Sequence, residues 1–296
     1  MSFSVLASGG GYFEAPRWHD GQWYVSDLQR HAIYSYSEDG AEELVAETKE
    51  KPSGIGWLPD GSMLFVTMGD HTLWRRTADG TVTEYADLSA HCGGPLNDMV
   101  IDESGRAFLG NCGFDPFAGD APRTTVLIRV DPGGSSQVVA EDLWFPNGLA
   151  IAPDGKTLLV GESGAGRYTA FTITDDGSLV GRRTWAELSS APAVGVWWDM
   201  IGALDVVPDG CCVDAEGAVW VATPKGSHVL RVAEGGKILQ DLAAPDGHEV
   251  FACMLGGRDG HTLLLCCAPG MAAASEGGNS AILVTTRVEV PHGGRP

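Results

Sequence analysis

A chain of 296 residues, 44% of them hydrophobic, is long enough to bury a large core as one domain. Its 39 acidic and 19 basic residues leave a formal charge of -20, which repels phosphate backbones and anionic lipid and argues against nucleic-acid and membrane-surface roles. No apolar run approaches the roughly 20 residues that span a bilayer.

The first residues, Met1 to Gly10, lack the basic region and long apolar core of a secretory signal, and a cytoplasmic location is expected. Phe3–Ala7 reads as a strand with no hairpin partner of its own. From there the chain repeats a strand, a tight turn and a second strand. The turns are His19-Asp20-Gly21, Pro59-Asp60-Gly61, Glu103-Ser104-Gly105, Pro153-Asp154-Gly155, Glu216-Gly217 and Asp259-Gly260. Third strands follow at Ala32–Tyr36, Thr72–Arg76, Thr125–Val130, Tyr168–Ile173 and His228–Val232, and fourth strands at Glu42–Ala46 and Gln137–Ala140. Helical periodicity is nearly absent. A β-sandwich could hold the same strands, but six similar hairpins favour radial repetition. The expectation is an all-β, six-bladed β-propeller spanning residues 1–296 as a single domain, with four-stranded antiparallel blades. Phe3–Ala7 should complete the last blade beside Ala281–Val288, hiding a sheet edge.

Seven cysteines (Cys92, Cys112, Cys211, Cys212, Cys253, Cys266 and Cys267) make an odd count without a CxxC pair, which fits buried free thiols in a reducing compartment. His91 beside Cys92 has no orienting third group, so a thiol nucleophile is disfavoured. The eight histidines show no HExxH spacing; His248, before the last inner strand, reads as a loop residue sooner than a channel one. Gly9-Gly10-Gly11 and Gly133-Gly134 lack the strand-turn-helix context of a phosphate loop and read as turns.

In a propeller the first strand of each blade lies at the central axis, so residues where it begins line the channel. Oxygen-bearing side chains recur there beside Gly or Pro: Glu14, Asn97, Asn147 and Asp209, each in a different blade. Two carboxylates and two amide oxygens converging on an axis form a hard-oxygen site for one divalent cation. Taken singly, Asn-Gly and Asp-Gly are turn dipeptides; four in register favour the site.

The motifs Glu14-Ala15-Pro16-Arg17-Trp18, Asn97-Asp98, Pro146-Asn147-Gly148, Pro208-Asp209-Gly210 and Ala252-Cys253-Met254-Leu255-Gly256-Gly257 span the chain in order. Together with Pro153-Asp154-Gly155 and Val213-Asp214 through Trp220, they resemble the family of gluconolactonase, senescence marker protein (regucalcin) and luciferin-regenerating enzyme. The resemblance implies Glu14, Asn147 and Asp209 as direct metal ligands, and Asn97 as a ligand, direct or through water, that also touches substrate. It implies Asp209 as general base and therefore, with Asn97, as catalytic; Asp98 and Asn111 would line the substrate pocket. Calcium suits the amide-rich donors best, with zinc, magnesium or manganese as alternatives.

Sugar-lactonase members of that family carry Arg two residues before the Asn of the Asn-Asp motif, gripping substrate hydroxyls. This chain has Pro95 there, which donates no hydrogen bond. The expected reaction is therefore metal-dependent opening of a lactone or related ester less polar than an aldonolactone. The insert Val196-Trp197-Trp198-Asp199-Met200-Ile201 points the same way if it covers the channel mouth; packing on the blade as a surface loop is the alternative. Other channel chemistries stay open, namely phosphotriester hydrolysis or strictosidine synthase-like condensation, as does a non-catalytic calcium-binding or protein-binding propeller.

Overall fold

Short apolar segments such as Met63–Thr67, Ala107–Asn111 and Pro146–Ile151 form strands buried along their whole length, and the strands of each sheet pair antiparallel. The computed structural model describes residues 2–271 and 278–294. It contains six four-stranded antiparallel sheets arranged as the blades of a propeller.

Blade 1 comprises β2 (Phe13–His19), β3 (Gln22–Asp27), β4 (Ala32–Tyr36) and β5 (Glu42–Glu47). Blade 2 comprises β6 (Pro52–Trp57), β7 (Met63–Thr67), β8 (Thr72–Arg76) and β9 (Val82–Asp87). Blade 3 comprises β10 (Leu96–Ile101), β11 (Ala107–Asn111), β12 (Thr125–Val130) and β13 (Ser136–Leu143). Blade 4 comprises β14 (Pro146–Ile151), β15 (Thr157–Glu162), β16 (Arg167–Ile173) and β17 (Leu179–Glu187). Blade 5 comprises β18 (Cys211–Val213), β19 (Val219–Thr223), β20 (His228–Val232) and β21 (Ile238–Ala243). Blade 6 takes β22 (Glu249–Gly256), β23 (Thr262–Ala268) and β24 (Ala281–Arg287), and is completed by the N-terminal β1 (Ser4–Gly10).

The closure runs antiparallel, with Ser4 opposite Thr285 and Val5 opposite Val284. It ties the N-terminal strand to the last blade and covers the outer edge of β24. The first strands of neighbouring blades pack against one another all the way round the axis, β2 meeting both β6 and β22. The core lies between blades: Ile55, Leu64, Leu73 and Phe108 are fully buried, each contributing roughly 1.5–3 kcal/mol. Outer strands such as β5 and β9 are largely exposed. All seven cysteines are free, and six of them are buried.

One helix departs from the strand expectation. α1 (Trp197–Ala203) sits in the connection from blade 4 to blade 5 and buries Trp197 and Met200. Seven residues form less than two turns, too few to show a helical period. The Lys225 ammonium, from the β19–β20 turn, holds its C-terminal end by donating to the carbonyls of Gly202, at 2.6 Å, and Leu204.

Candidate active site

The first strands of blades 1 to 4 share a defect at the same place. Between the pairs Glu14↔Ser26 and Arg17↔Tyr24, three residues of β2 span what two span on β3. The same extra residue occurs between Pro52 and Ile55, between Leu96 and Met99, and between Pro146 and Leu149. Such a bulge bends a strand and re-aims a side chain; it contains Asn97 and Asn147 and begins directly after Glu14. Two non-glycine residues beside the bulges adopt left-handed backbone, Ala15 at φ 46° and Phe145 at φ 51°. Packing holds this strain next to the polar cluster.

Gly148 and Gly210 serve a purpose other than a tight turn, since neither has a positive φ. A Cβ on Gly148 would lie 2.4 Å from the Asp209 carbonyl oxygen, and one on Gly210 would lie 2.5 Å from the Ala252 Cβ. Adjacent inner strands approach so closely around the axis that only glycine fits. The Asn-Gly and Asp-Gly dipeptides are therefore packing features of the channel.

A chain of hydrogen bonds runs round the axis from blade to blade. Ser26 Oγ donates to the Ser53 carbonyl at 2.6 Å, and Ser53 Oγ donates to Asn97 Oδ1 at 3.2 Å. Asn97 Nδ2 donates to Asn147 Oδ1 at 2.9 Å, and Asn147 Nδ2 donates to Asp209 Oδ1 at 2.7 Å. Ser163 Oγ accepts from Asn147 Nδ2 at 3.1 Å and donates to the Pro208 carbonyl at 2.6 Å. Glu14 completes the cluster from blade 1, with its carboxylate accepting from the Ala15 N–H at 3.2 Å.

The two carboxyl groups strain one another electrostatically. Burial raises the Asp209 carboxyl from its ordinary 3.8 to about 7, and the Asn147 hydrogen bond only partly offsets that rise. Burial and then the charge of Asp209 raise Glu14 well above the usual carboxylate range. Adding positive charge between them would remove both penalties. The donors also fit a hard divalent cation: two carboxylates plus the amide oxygens of Asn97 and Asn147. Among the described residues no group of three or more His, Cys, Asp and Glu is placed to hold a metal, so an imidazole- or thiolate-rich site is not offered.

This cluster forms part of the lining of a cavity of about 480 Å³. Tyr12 and Ser163 share the polar floor with Glu14, Asn97, Asn147 and Asp209. One wall is apolar, built from Pro95, Cys112, Pro116, Phe117, Phe145, Trp197, Trp198, Ile201 and Val207. His31, Glu50, Lys51 and Met68 also line the cavity. The insert expected at residues 196–201 thus contributes to the channel mouth, as α1.

Of the expected pocket residues, Pro95 and Asn97 line the cavity, whereas Asp98 and Asn111 do not. Asp98 follows Asn97 on the same strand and points to the opposite face. There it is buried in an ion pair with Arg17, whose Nη2 also donates to the Met99 carbonyl, both at 2.7 Å. Asn111 is fully buried and spends its amide on the β11–β12 loop. Its Oδ1 accepts from the Gly113 N–H and the Thr125 hydroxyl, and its Nδ2 donates to the Val126 carbonyl. Both residues therefore position backbone.

Ser163, Tyr12 and Phe117 were not singled out in the sequence. Tyr12 lies two residues before Glu14, and that proximity is the signal available for it; Ser163 follows the second strand of blade 4, where nothing marked it. Phe117 sits in a loop without repeat. Burial pushes the Cys92 thiol up to about 12, and His91 turns to Ser136 Oγ at 3.1 Å, so that pair forms no nucleophile. His248 does not line the cavity.

Residues 13–268 match the family described as SMP-30/Gluconolactonase/LRE-like region. A pentonolactonase of Haloferax volcanii is 26% identical over 292 residues, covering 96% of this chain and 92% of that protein. Among solved structures, a gluconolactonase from Xanthomonas campestris superposes with a TM-score of 0.72 at 23% identity, covering 98% of this chain and 89% of that one. A calcium-binding regucalcin from Agrobacterium tumefaciens gives 0.78 at 20% identity, covering 98% and 95%. At these identities the structural likeness carries the fold.

Proposed function

This chain belongs to the SMP-30/gluconolactonase/LRE-like family, and we propose that its channel hydrolyses a lactone less polar than an aldonolactone, with one divalent cation held by Glu14, Asn147, Asp209 and Asn97. The observation that carries the reading is the juxtaposition of two mutually destabilised carboxyl groups with an apolar wall in one cavity. Lactonases among the relatives support the reaction class.

Glu14, Asn147, Asp209 and Asn97 would hold a divalent cation, calcium foremost, which would supply positive charge toward an ester carbonyl and favour both carboxylates as anions. The protein's own groups do the rest. Asp209, on the cavity lining beside Asn147, accepts a proton from the attacking water. Asn97 offers its Nδ2–H to the carbonyl oxygen as negative charge develops there. Asn147 holds both Asn97 and Asp209 in place through its amide. Attack forms one C–O bond, the ring C–O bond breaks, and the departing alkoxide takes up a proton. Pro95 offers no donor to a sugar hydroxyl and the wall beside it is mostly hydrocarbon, which favours an apolar acyl portion.

Hydrolysis releases a carboxylic acid, so a pH-indicator assay reads it directly. The panel runs from gluconolactone to alkyl γ-lactones, with chelator and then with divalent ions restored. Chelator-sensitive turnover that ranks apolar lactones first is the expected result. Metal-saturated protein inert toward every lactone would overturn the proposal.

A further inference from the structure

Two aromatic rings stand at the mouth of the cavity with little covering them. Phe117 is 63% exposed and Trp198 is 43% exposed, and their centroids lie 5.6 Å apart at an interplanar angle of 59°. Behind them Trp197 packs edge-on to Phe114 at 5.0 Å and against Phe145 at 5.9 Å. Isolated exposed apolar side chains are ordinary on a surface, but a cluster continuous with a catalytic cavity marks a binding surface.

Both rings are carried on anchored segments. Phe117 lies on the β11–β12 loop, where the Asp115 carboxylate accepts from the Phe117 and Ala118 N–H groups at 2.9 and 3.1 Å. Arg123 fastens the same loop to the Gly93 carbonyl at 2.9 Å, and Asn111 holds it at its root. Trp198 lies on α1, held by buried Trp197 and Met200 below and by Lys225 at its end. A pre-organised pair loses little side-chain entropy when a ligand arrives.

The cavity's size matters as well. About 480 Å³ falls in the range that encloses a drug-sized molecule, larger than an unsubstituted lactone ring needs. The carboxylates and the two rings line the same cavity, so a ligand that meets both needs an aromatic group separate from its reacting ring. We propose that Phe117 and Trp198 form a clamp for an aromatic ring carried as a pendant group on the ligand, so that the substrates are aryl-substituted lactones. The electropositive edge and electronegative face of such a ring match a tilted aromatic pair in a way that an alkyl chain does not. This rests on the channel being a lactonase site.

The test compares γ-phenyl-γ-butyrolactone with γ-methyl-γ-butyrolactone as substrates, and their ring-opened hydroxy acids as ligands, in calcium-containing buffer. Calorimetry gives the binding ratio whether or not turnover occurs. The parent protein should prefer the phenyl acid by about tenfold, with KM for the lactones following the same order. Phe117→Ala and Trp198→Ala should each cut that ratio severalfold, and Trp198→Phe should keep most of it. Both side chains are substantially exposed, so their removal leaves the core intact. Equal affinity for the two acids in the parent, or a ratio unchanged in both alanine variants, overturns the clamp. A ratio that behaves as expected while neither lactone is opened supports the clamp and removes the lactonase reading.

Discussion

Replacing Asp209 by Asn removes one of the two carboxylates yet keeps the side-chain shape and an Oδ1 able to accept from Asn147. In the parent, burial first and the charge of Asp98 after it raise the Asp209 carboxyl from 3.8 to about 7. A carboxyl that binds its proton more tightly when folded takes one up on folding between those limits. Native stability therefore falls as pH rises from about 4 to about 7, and the whole penalty is present above that. Three pH units correspond to roughly 4 kcal/mol as an upper bound. Partial solvent access and shared titration with Glu14 reduce the expectation to about 2 kcal/mol. At pH 8 in chelator, Asp209→Asn should then be more stable than the parent by about 2 kcal/mol, or roughly 4–8 °C in Tm. The two proteins should converge near pH 4, where Asp209 is protonated in the folded state. Calcium reverses the order: at a hundredfold excess over Kd it stabilises the parent by about 2.7 kcal/mol, while the variant, missing a charged ligand, gains little. Tryptophan-fluorescence melting curves across this pH range, in chelator and in calcium, read all of these quantities. A variant less stable than the parent at pH 8 in chelator, or an equal calcium-induced rise in both, would refute the reasoning.

Three further substitutions test the scaffold around the site. Gly148→Ala places a methyl 2.4 Å from the Asp209 carbonyl oxygen and should weaken calcium binding at least tenfold by calorimetry, because relief requires moving the first strand of blade 5. Arg17→Met strands the buried Asp98 carboxylate and should cost about 3–5 kcal/mol in urea unfolding at neutral pH. Adding Asp98→Asn should recover most of that loss. Lys225→Met frees the C-terminal end of α1 and should raise KM for an aryl lactone severalfold more than it lowers kcat, measured by steady-state hydrolysis.

The propeller was legible because each blade needs the same local chemistry. A tight turn between the first two strands places Gly after Asp, Ser or Glu, and six such turns count the blades. The long third strands matched within a residue: Ala32–Tyr36, Thr72–Arg76 and Thr125–Val130 are β4, β8 and β12 as expected. The N-terminal strand was legible for the opposite reason, since Phe3–Ala7 had no partner nearby and a lone strand must find one elsewhere. α1 was not, because its seven residues are held by Trp197 burial and by Lys225, a residue that follows it by more than twenty positions. Nothing local in Val196–Ala203 requires a helix.

The polar floor and the apolar wall differ in legibility for the same physical reason. Asn97 and Asn147 lie in, and Glu14 directly before, a bulge that recurs in blades 1 to 4, so their place at the strand entry could be seen from repetition. That bulge also decides which neighbour is excluded: with Asn97 turned to the axis, Asp98 must face the blade interior, where Arg17 neutralises it. A motif read as two adjacent polar residues thus separates into one channel residue and one structural ion pair. Phe117 and Trp198 come from connections that occur once each, so no repetition announces them. In the proposed reaction, repeated geometry supplies the polar floor and unrepeated loops supply the apolar surface that would select the substrate. Changing selectivity should accordingly require substitutions in residues 112–124 and 194–204, while the floor stays constant.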